Sequence, residues 1–298
     1  MKNKQTRPID WHTLSGSIPF RMTNDYLFRA LLQTNNQVLI ALVSSFLGWS
    51  PSEITSATIE NPIELGKALD SKTFILDIHV MINSRINVNL EMQVLNESNW
   101  PDRSLVYLCR VFDSINRNEE YQDLHPAYHI SIINFKLFSD HPEFYATYKL
   151  LNIKDFHEYT DKFRLSVLCL PYIDLATDKD RSACLDEWAA MFKATRWEEL
   201  IMLAQKNSDI DNAVTTMYTI SQDDLIQEQM RARDDYFILQ RSMQRLINDK
   251  DQELDATKQA LNVKNQELDA TKQELESQKQ AFQAEIAELK AKLAAAKI

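Results

Sequence analysis

Glycine is nearly absent: Gly16, Gly48 and Gly66 are the only three in 298 residues. A Walker loop or a dinucleotide fingerprint needs two or three glycines within about six residues, because only glycine lets the backbone close on a phosphate there. ATPase, kinase and Rossmann dehydrogenase chemistries are therefore excluded, and a glycine-punctuated β-barrel is disfavoured. Cysteine is scarce too. Cys109, Cys169 and Cys184 form no CxxC pair and no Cys/His cluster. That pattern fits reduced thiols in a cytoplasm, each serving as a small core residue. The six histidines (12, 79, 125, 129, 141 and 157) form no HxH pair, and no serine lies in a GxSxG setting. Basic charge is in deficit, 33 Lys and Arg against 43 Asp and Glu, a formal net charge of −10. Such a surface repels phosphates, so contact with nucleic acid needs a local basic patch or bound cations. Long apolar runs are missing as well. Neither a transmembrane helix nor a signal peptide is expected, and the chain is read as cytoplasmic with no membrane partner.

What the chain does have is material for a core: 44% hydrophobic residues against 26% charged. Its organisation divides into an N-terminal arm (1–20), an α/β unit (21–225) and a helical extension (226–298) with a coiled coil from about residue 247. In the extension, Gln252-Glu-Leu-Asp-Ala-Thr-Lys-Gln259 returns as Gln266 to Gln273. Ile247, Leu254, Leu261, Leu268, Leu275, Phe282 and Leu289 recur at every seventh position. A sustained seven-residue period drives a left-handed supercoil. With the leucines at d, the a positions read Lys258, Asn265, Lys272, Lys279, Ile286 and Leu293. Two readings fit: a long solvated helix, or a coiled coil with a polar seam that joins protomers into a homo-oligomer.

Within the α/β unit, Asn24 caps a helix from Asp25 to about Gln33, and a second helix from about Gln37 to Leu47 stops at Gly48 before Pro51. Phe74–Val80 and Ile86–Val94 read as strands, Asp102 to about Ile115 as a helix, and Tyr128–Leu137 and Phe163–Leu170 as further strands. Helices dominate from about Ala183 onward.

Two of these strands carry acids in apolar settings, Asp77 in Phe74–Val80 and Glu91 in Val88-Asn-Leu-Glu-Met-Gln-Val94. A three-residue turn, Asn83 to Arg85, pairs Ile82 with Ile86 and sets Asp77 opposite Glu91, their Cβ atoms about 5 Å apart. Gln93 shares the Glu91 face, and His79 the Asp77 face. A two-residue turn would send the acids to opposite faces. Adjacent carboxylates repel, and a divalent cation removes the repulsion; hard oxygen ligands suit Mg²⁺ or Mn²⁺. The alternative is a half-exposed hairpin with solvated acids. On the following helix, Arg103, Tyr107, Arg110 and Ser114 fall at i, i+4, i+7 and i+11, with Leu105, Leu108, Val111 and Phe112 expected to face inward. Arg103 and Arg110 suit phosphate; an ordinary solvated basic face is the alternative.

Asp77 and Glu91-Met-Gln93, after the helix Asn24-Asp25-Tyr-Leu-Phe28-Arg29 and before Arg103 with Tyr107, Glu120-Tyr121 and His129-Ile-Ser-Ile-Ile-Asn-Phe135, resemble the PD-(D/E)XK nucleases of the recombination-promoting nuclease and transposase type. The resemblance spans roughly residues 21–225. It implies a restriction-endonuclease-like core, a mixed sheet flanked by helices, with Mg²⁺-dependent DNA cleavage. By the same resemblance Asp77 and Glu91 hold the metal, the Met92 carbonyl completes the inner shell, and Gln93 stands where the superfamily has Lys. Asp25 matches a first-helix acid near the metal; a helix N-terminal carboxylate is its other reading. Arg29 lies where the family's first helix usually carries Lys. Arg29, Arg103, Tyr107 and Arg110 are the expected DNA-side residues. The rivals to a DNA endonuclease are a catalytically inactive nuclease fold kept as an interaction module, and an RNA-directed hydrolase with the same site.

Overall fold

The computed structural model describes residues 10–63, 65, 77–95, 99–113 and 120–295, with side chains to residue 292. The expected strand residues Phe74 to Leu76, the helix-end residues Ser114 and Ile115, and the Leu293 side chain lie outside that set. The chain divides into two compact units, Met1–Phe237 and Ile238–Ile298.

The first unit begins with α1 (Asp25–Thr34) and α2 (Asn36–Leu47). Asn24 caps α1 by accepting from the Leu27 N–H, and Asn35 caps α2 through Gln37 and Val38. Gly48 ends α2 in the left-handed region at φ 67, a conformation glycine adopts without a Cβ clash. Then come β1 (Ala57–Ile59), β2 (Ile78–Ile82), β3 (Ile86–Gln93), α3 (Trp100–Phe112), β4 (Ala127–Ile133), β5 (Tyr145–Lys149) and β6 (Phe163–Cys169). Four helices follow, α4 (Asp178–Ser182), α5 (Leu185–Lys193), α6 (Trp197–Ala204) and α7 (Ser208–Ile220), before α8 (Asp224–Ala295). The strands form one six-stranded mixed sheet in the order β1-β2-β3-β4-β6-β5. Its centre, β3-β4-β6, is parallel, and β2, β1 and β5 run antiparallel at the edges. The expected mixed sheet flanked by helices is the fold observed. The two outermost strands, β1 and β5, carry no legible pattern: β1 is three residues long and most of β5 faces solvent.

The apolar face of the sheet makes the main core. Ile78, Val80, Val88, Leu90, Met92, Ile130 and Ile132 pack with Leu27, Leu31, Leu39 and Leu42 of the first two helices and with Trp188 and Phe192 of α5. Each such side chain contributes roughly 1.5–3 kcal/mol on burial. The other face carries a smaller cluster of Trp100, Ile133, Val167 and Cys169. On α3 the buried stripe is Trp100, Ser104 and Leu108, so Leu105, expected inward, is half exposed. The small Ser104 lets the helix settle close to the sheet while its hydroxyl donates to the Pro101 carbonyl at 3.0 Å. The described part of the N-terminal arm is built into this unit: Trp11 is buried and donates to Thr215 at 2.8 Å, and Ile18 N–H bonds Thr195 O.

Helix α8 passes residues 225 and 247 without a break. In the second unit its one apolar stripe faces solvent: Leu254, Leu261, Leu268, Leu275, Phe282 and Leu289 are all exposed. The a-position lysines 258, 272 and 279 pair with Asp255, Asp269 and Glu276 one turn back, at 3.5–3.6 Å. Among the described residues no single helix is long and apolar enough to cross a membrane.

Candidate active site

The turn that decides the site is held in place from outside. Asn83 and Ser84 adopt φ 52 and 53. The Asn83 carboxamide accepts from Thr55 and Ser56 N–H and donates to the Glu53 carbonyl. These bonds fix Ile82 opposite Ile86 and carry the register on to Ile78 opposite Leu90. Asp77 immediately precedes β2, so the same register sets it beside Glu91. Parallel pairing then sets Glu91 beside Ser131, and Asn89 beside His129. Two polar rows thus cross one face of the sheet: Asp77, Glu91 and Ser131, and next to them His79, Asn89 and His129.

This face is not the half-exposed hairpin that the alternation also allowed. Strand β3 is buried on both sides, with Glu91 at 4% and Asn89 at 0% exposure. Helix α3 covers the polar side. Arg103 Nη2 donates to Glu91 Oε1 at 2.9 Å, and Arg103 Nε donates to the Tyr107 hydroxyl at 3.1 Å. Arg103 and Arg110 flank the Tyr107 ring at 5.2 and 5.9 Å. His129 Nε2 lies 3.6 Å from Glu91 Oε2. Burial is the chief cause that lowers the His129 pKa to about 4, with Asp77 opposing and Arg103 and His79 adding to the fall. His79 Nε2 meets Asp77 Oδ2 at 2.9 Å. A cleft of about 370 Å³ opens between β2, β3 and α3, lined by Glu60, Asp77, His79, Asn87, Tyr107 and Arg110.

The remaining expected residues are placed as follows. Gln93 stands on the Glu91 face and donates to the Leu95 carbonyl at 2.9 Å. The Met92 side chain is in the opposite core, which leaves its main-chain carbonyl as the candidate donor. Arg29, expected to face phosphate, is 2% exposed. Its guanidinium donates to the main-chain carbonyls of Asp77, at 2.6 Å, and of Asn61. Buried among backbone acceptors it secures the segment that carries Asp77, and burial pulls its pKa down. Asp25 is also buried, and Arg233 of α8 grips it through Nε and Nη2 at 2.6–2.9 Å. Burial raises the Asp25 pKa and Arg233 opposes that rise. Arg233 itself lies over Tyr236 and Phe237, at 4.9 and 4.8 Å. Asn24 reaches α8 as well, donating to Met230 O at 3.0 Å. Helix α1 is therefore a strut between the start of α8 and the Asp77 segment.

Sequence reasoning passed over His129, Asn89, Ser131, Glu60 and Arg233. For the first three a signal existed: polar residues alternate along His129-Ile-Ser131 as they do along Asn87-Val-Asn89-Leu-Glu91. His125 and His129 are spaced HxxxH, but β4 starts at Ala127, so they share no helical face. Arg233 is 208 residues from its partner, and nothing local marks it.

The donor set bears on a metal directly. Among the described residues no group of three or more His, Cys, Asp or Glu gathers closely enough to cage an ion. Two carboxylates side by side are nonetheless the protein share that Mg²⁺ takes, since it keeps several waters and accepts substrate phosphate oxygens. The residues fit a hard, partly hydrated cation and do not fit structural zinc.

A family model described as PD-(D/E)XK nuclease family transposase matches residues 22–249. No curated protein and no solved structure matches the chain. With the match covering most of its length, the chain belongs to the PD-(D/E)XK nuclease family transposases.

Proposed function

We propose that the protein is a Mg²⁺- or Mn²⁺-dependent DNA endonuclease of the cytoplasm, linked to recombination or mobile elements. The observation that carries this reading is the register: Ile82 pairs with Ile86, which sets Asp77 and Glu91 on one face beneath Arg103. In this reading Asp77, Glu91 and the Met92 carbonyl hold the cation. Bound there, the cation supplies an activated water and neutralises charge that develops on the phosphodiester. Gln93 orients the water or the scissile phosphate. Arg103 aims Glu91, Tyr107 steadies Arg103, and Arg110 meets the DNA backbone at the cleft mouth. Arg29 acts from behind, holding the Asp77 segment to α1, and Asp25 ties α1 to Arg233 of α8.

The exposed leucines of α8 suit pairing with a second copy of the chain, which would bring two sites to the two strands of a duplex. Light scattering of the full chain tests this: an oligomer that Leu261→Ser with Leu268→Ser converts to monomer supports it, and a monomeric wild type overturns it.

The second reading, an inactive nuclease fold kept as an interaction module, is favoured by the Glu91–Arg103 ion pair and by the neutral Gln93. Plasmid nicking with Mg²⁺ or Mn²⁺ separates the two. Nicking by wild type that Asp77→Ala abolishes supports the endonuclease. Equal activity in both, or none in either, supports the module. Competition by RNA identifies an RNA-directed hydrolase.

A further inference from the structure

Next to the two acids lies a polar cluster that the reading above leaves without a task. Asn89, His129 and Ser131 all have 0% exposure. His129 Nδ1 lies 2.9 Å from Asn89 Nδ2, and its Nε2 lies 2.7 Å from Ser131 Oγ and 3.6 Å from Glu91 Oε2. Register makes a square of the four, since Asn89 pairs with His129 and Glu91 with Ser131 across β3 and β4. Valine or isoleucine would fill three of these corners at less desolvation cost. The cluster is also imperfect as a stabilising device: Asn89 Oδ1 is buried and has no hydrogen-bond partner among the described residues. An imidazole, an amide and a hydroxyl buried together at one carboxylate are arranged around that carboxylate.

We propose that His129 is a positioning residue: set by Asn89 and Ser131, it fixes the Glu91 carboxylate for a hard divalent cation. This rests on the reading of Asp77 and Glu91 as cation ligands. The Asn89 amide donates to Nδ1 and so leaves the proton on Nε2, the nitrogen that faces Ser131 and Glu91. A neutral N–H at that position donates to Ser131 Oγ at 2.7 Å and turns its positive edge towards Glu91 Oε2 at 3.6 Å, without adding a charge that would repel the cation. Arg103 holds the other oxygen from α3 at 2.9 Å. With one oxygen bonded from the helix and the other packed against the buried imidazole edge of the sheet, the carboxylate keeps a single orientation, and less ordering is left for the cation to impose.

The test is Mn²⁺ titration of the full-length protein by calorimetry, with long-range ¹H–¹⁵N NMR of His129 in the metal-free protein. His129→Leu is expected to weaken Mn²⁺ binding about 10–100-fold, and His129→Gln, which returns an N–H near the Nε2 position, to recover most of it. The NMR is expected to show the proton on Nε2. A His129→Leu protein that binds Mn²⁺ as tightly as wild type, or a proton on Nδ1, overturns the proposal. If His129→Leu fails to fold, Ser131→Ala decides: about tenfold weaker binding supports it and unchanged binding overturns it. Glu91→Ala separates the levels. Its loss of Mn²⁺ binding beside a normal His129→Leu sinks the proposal alone; its retention of wild-type binding sinks the site reading and the proposal together.

Discussion

The two sides of β3 are equally buried and chemically opposite. Val88, Leu90 and Met92 point into a core of leucines and aromatics, while Asn87, Asn89, Glu91 and Gln93 point under α3, and none of the seven exceeds 9% exposure. In a strand with one side in water, alternation means apolar in and polar out. Here both sides are buried, and only the apolar one is explained by packing. Apolar burial on the first contributes stability directly. Polar burial on the second contributes little net stability even when fully bonded, because each group gives up water for its partner. In the proposed reading β3 keeps an amide and a carboxylate at 0–4% exposure, beside the buried imidazole of β4, for chemistry.

That contrast can be broken at single residues. The largest effect on folding is expected from Leu90→Ala, about 2–5 kcal/mol lost through a cavity in the apolar core, read by urea denaturation. A loss below 1 kcal/mol would show that this side is not the structural one. Next is pH. The native His129 pKa near 4 lies below the usual 6.5, so the unfolded chain takes up the proton first. This contribution is complete above about pH 6.5 and is lost as pH falls towards 4, at up to about 1.4 kcal/mol per pH unit. Comparing wild type with His129→Gln across that range isolates it, since the variant lacks the titration; parallel stability curves would contradict a buried neutral imidazole. Smaller still is Glu91→Gln, which keeps an acceptor for Arg103 but removes the charge that faces it, and should cost about 1–3 kcal/mol of unfolding free energy while abolishing nicking. On the exposed helix, Lys272→Ala removes a solvated pair with Asp269 and should change stability by less than about 0.5 kcal/mol in a thermal melt.

The legible parts of the fold were those with local causes. Asn24 and Gly48 mark helix ends through their own side chain or backbone, whereas the turn at Asn83 to Arg85 left two registers open, and the bonds of Asn83 to Thr55, Ser56 and Glu53 decide between them. Strand β5 was not legible, because most of its side chains face solvent and leave no pattern. The site divides the same way. Asp77, Glu91 and Gln93 stand out as polar residues in apolar strands. Arg29 reads as a surface cation and is a buried clasp on main-chain carbonyls. Asp25 reads as a helix-start acid, and its partner Arg233 is supplied by another helix. Sequence separation hides such pairs, since only the folded chain brings them together.

The central claim is that Asp77 and Glu91 together hold one hard cation, and anomalous scattering from crystals soaked in Mn²⁺ tests it most directly. The account predicts a peak bridged by these two carboxylates, with Arg103 still on Glu91. Crystals that take up no Mn²⁺ there, or that bind it elsewhere while both carboxylates stay unliganded, would contradict it.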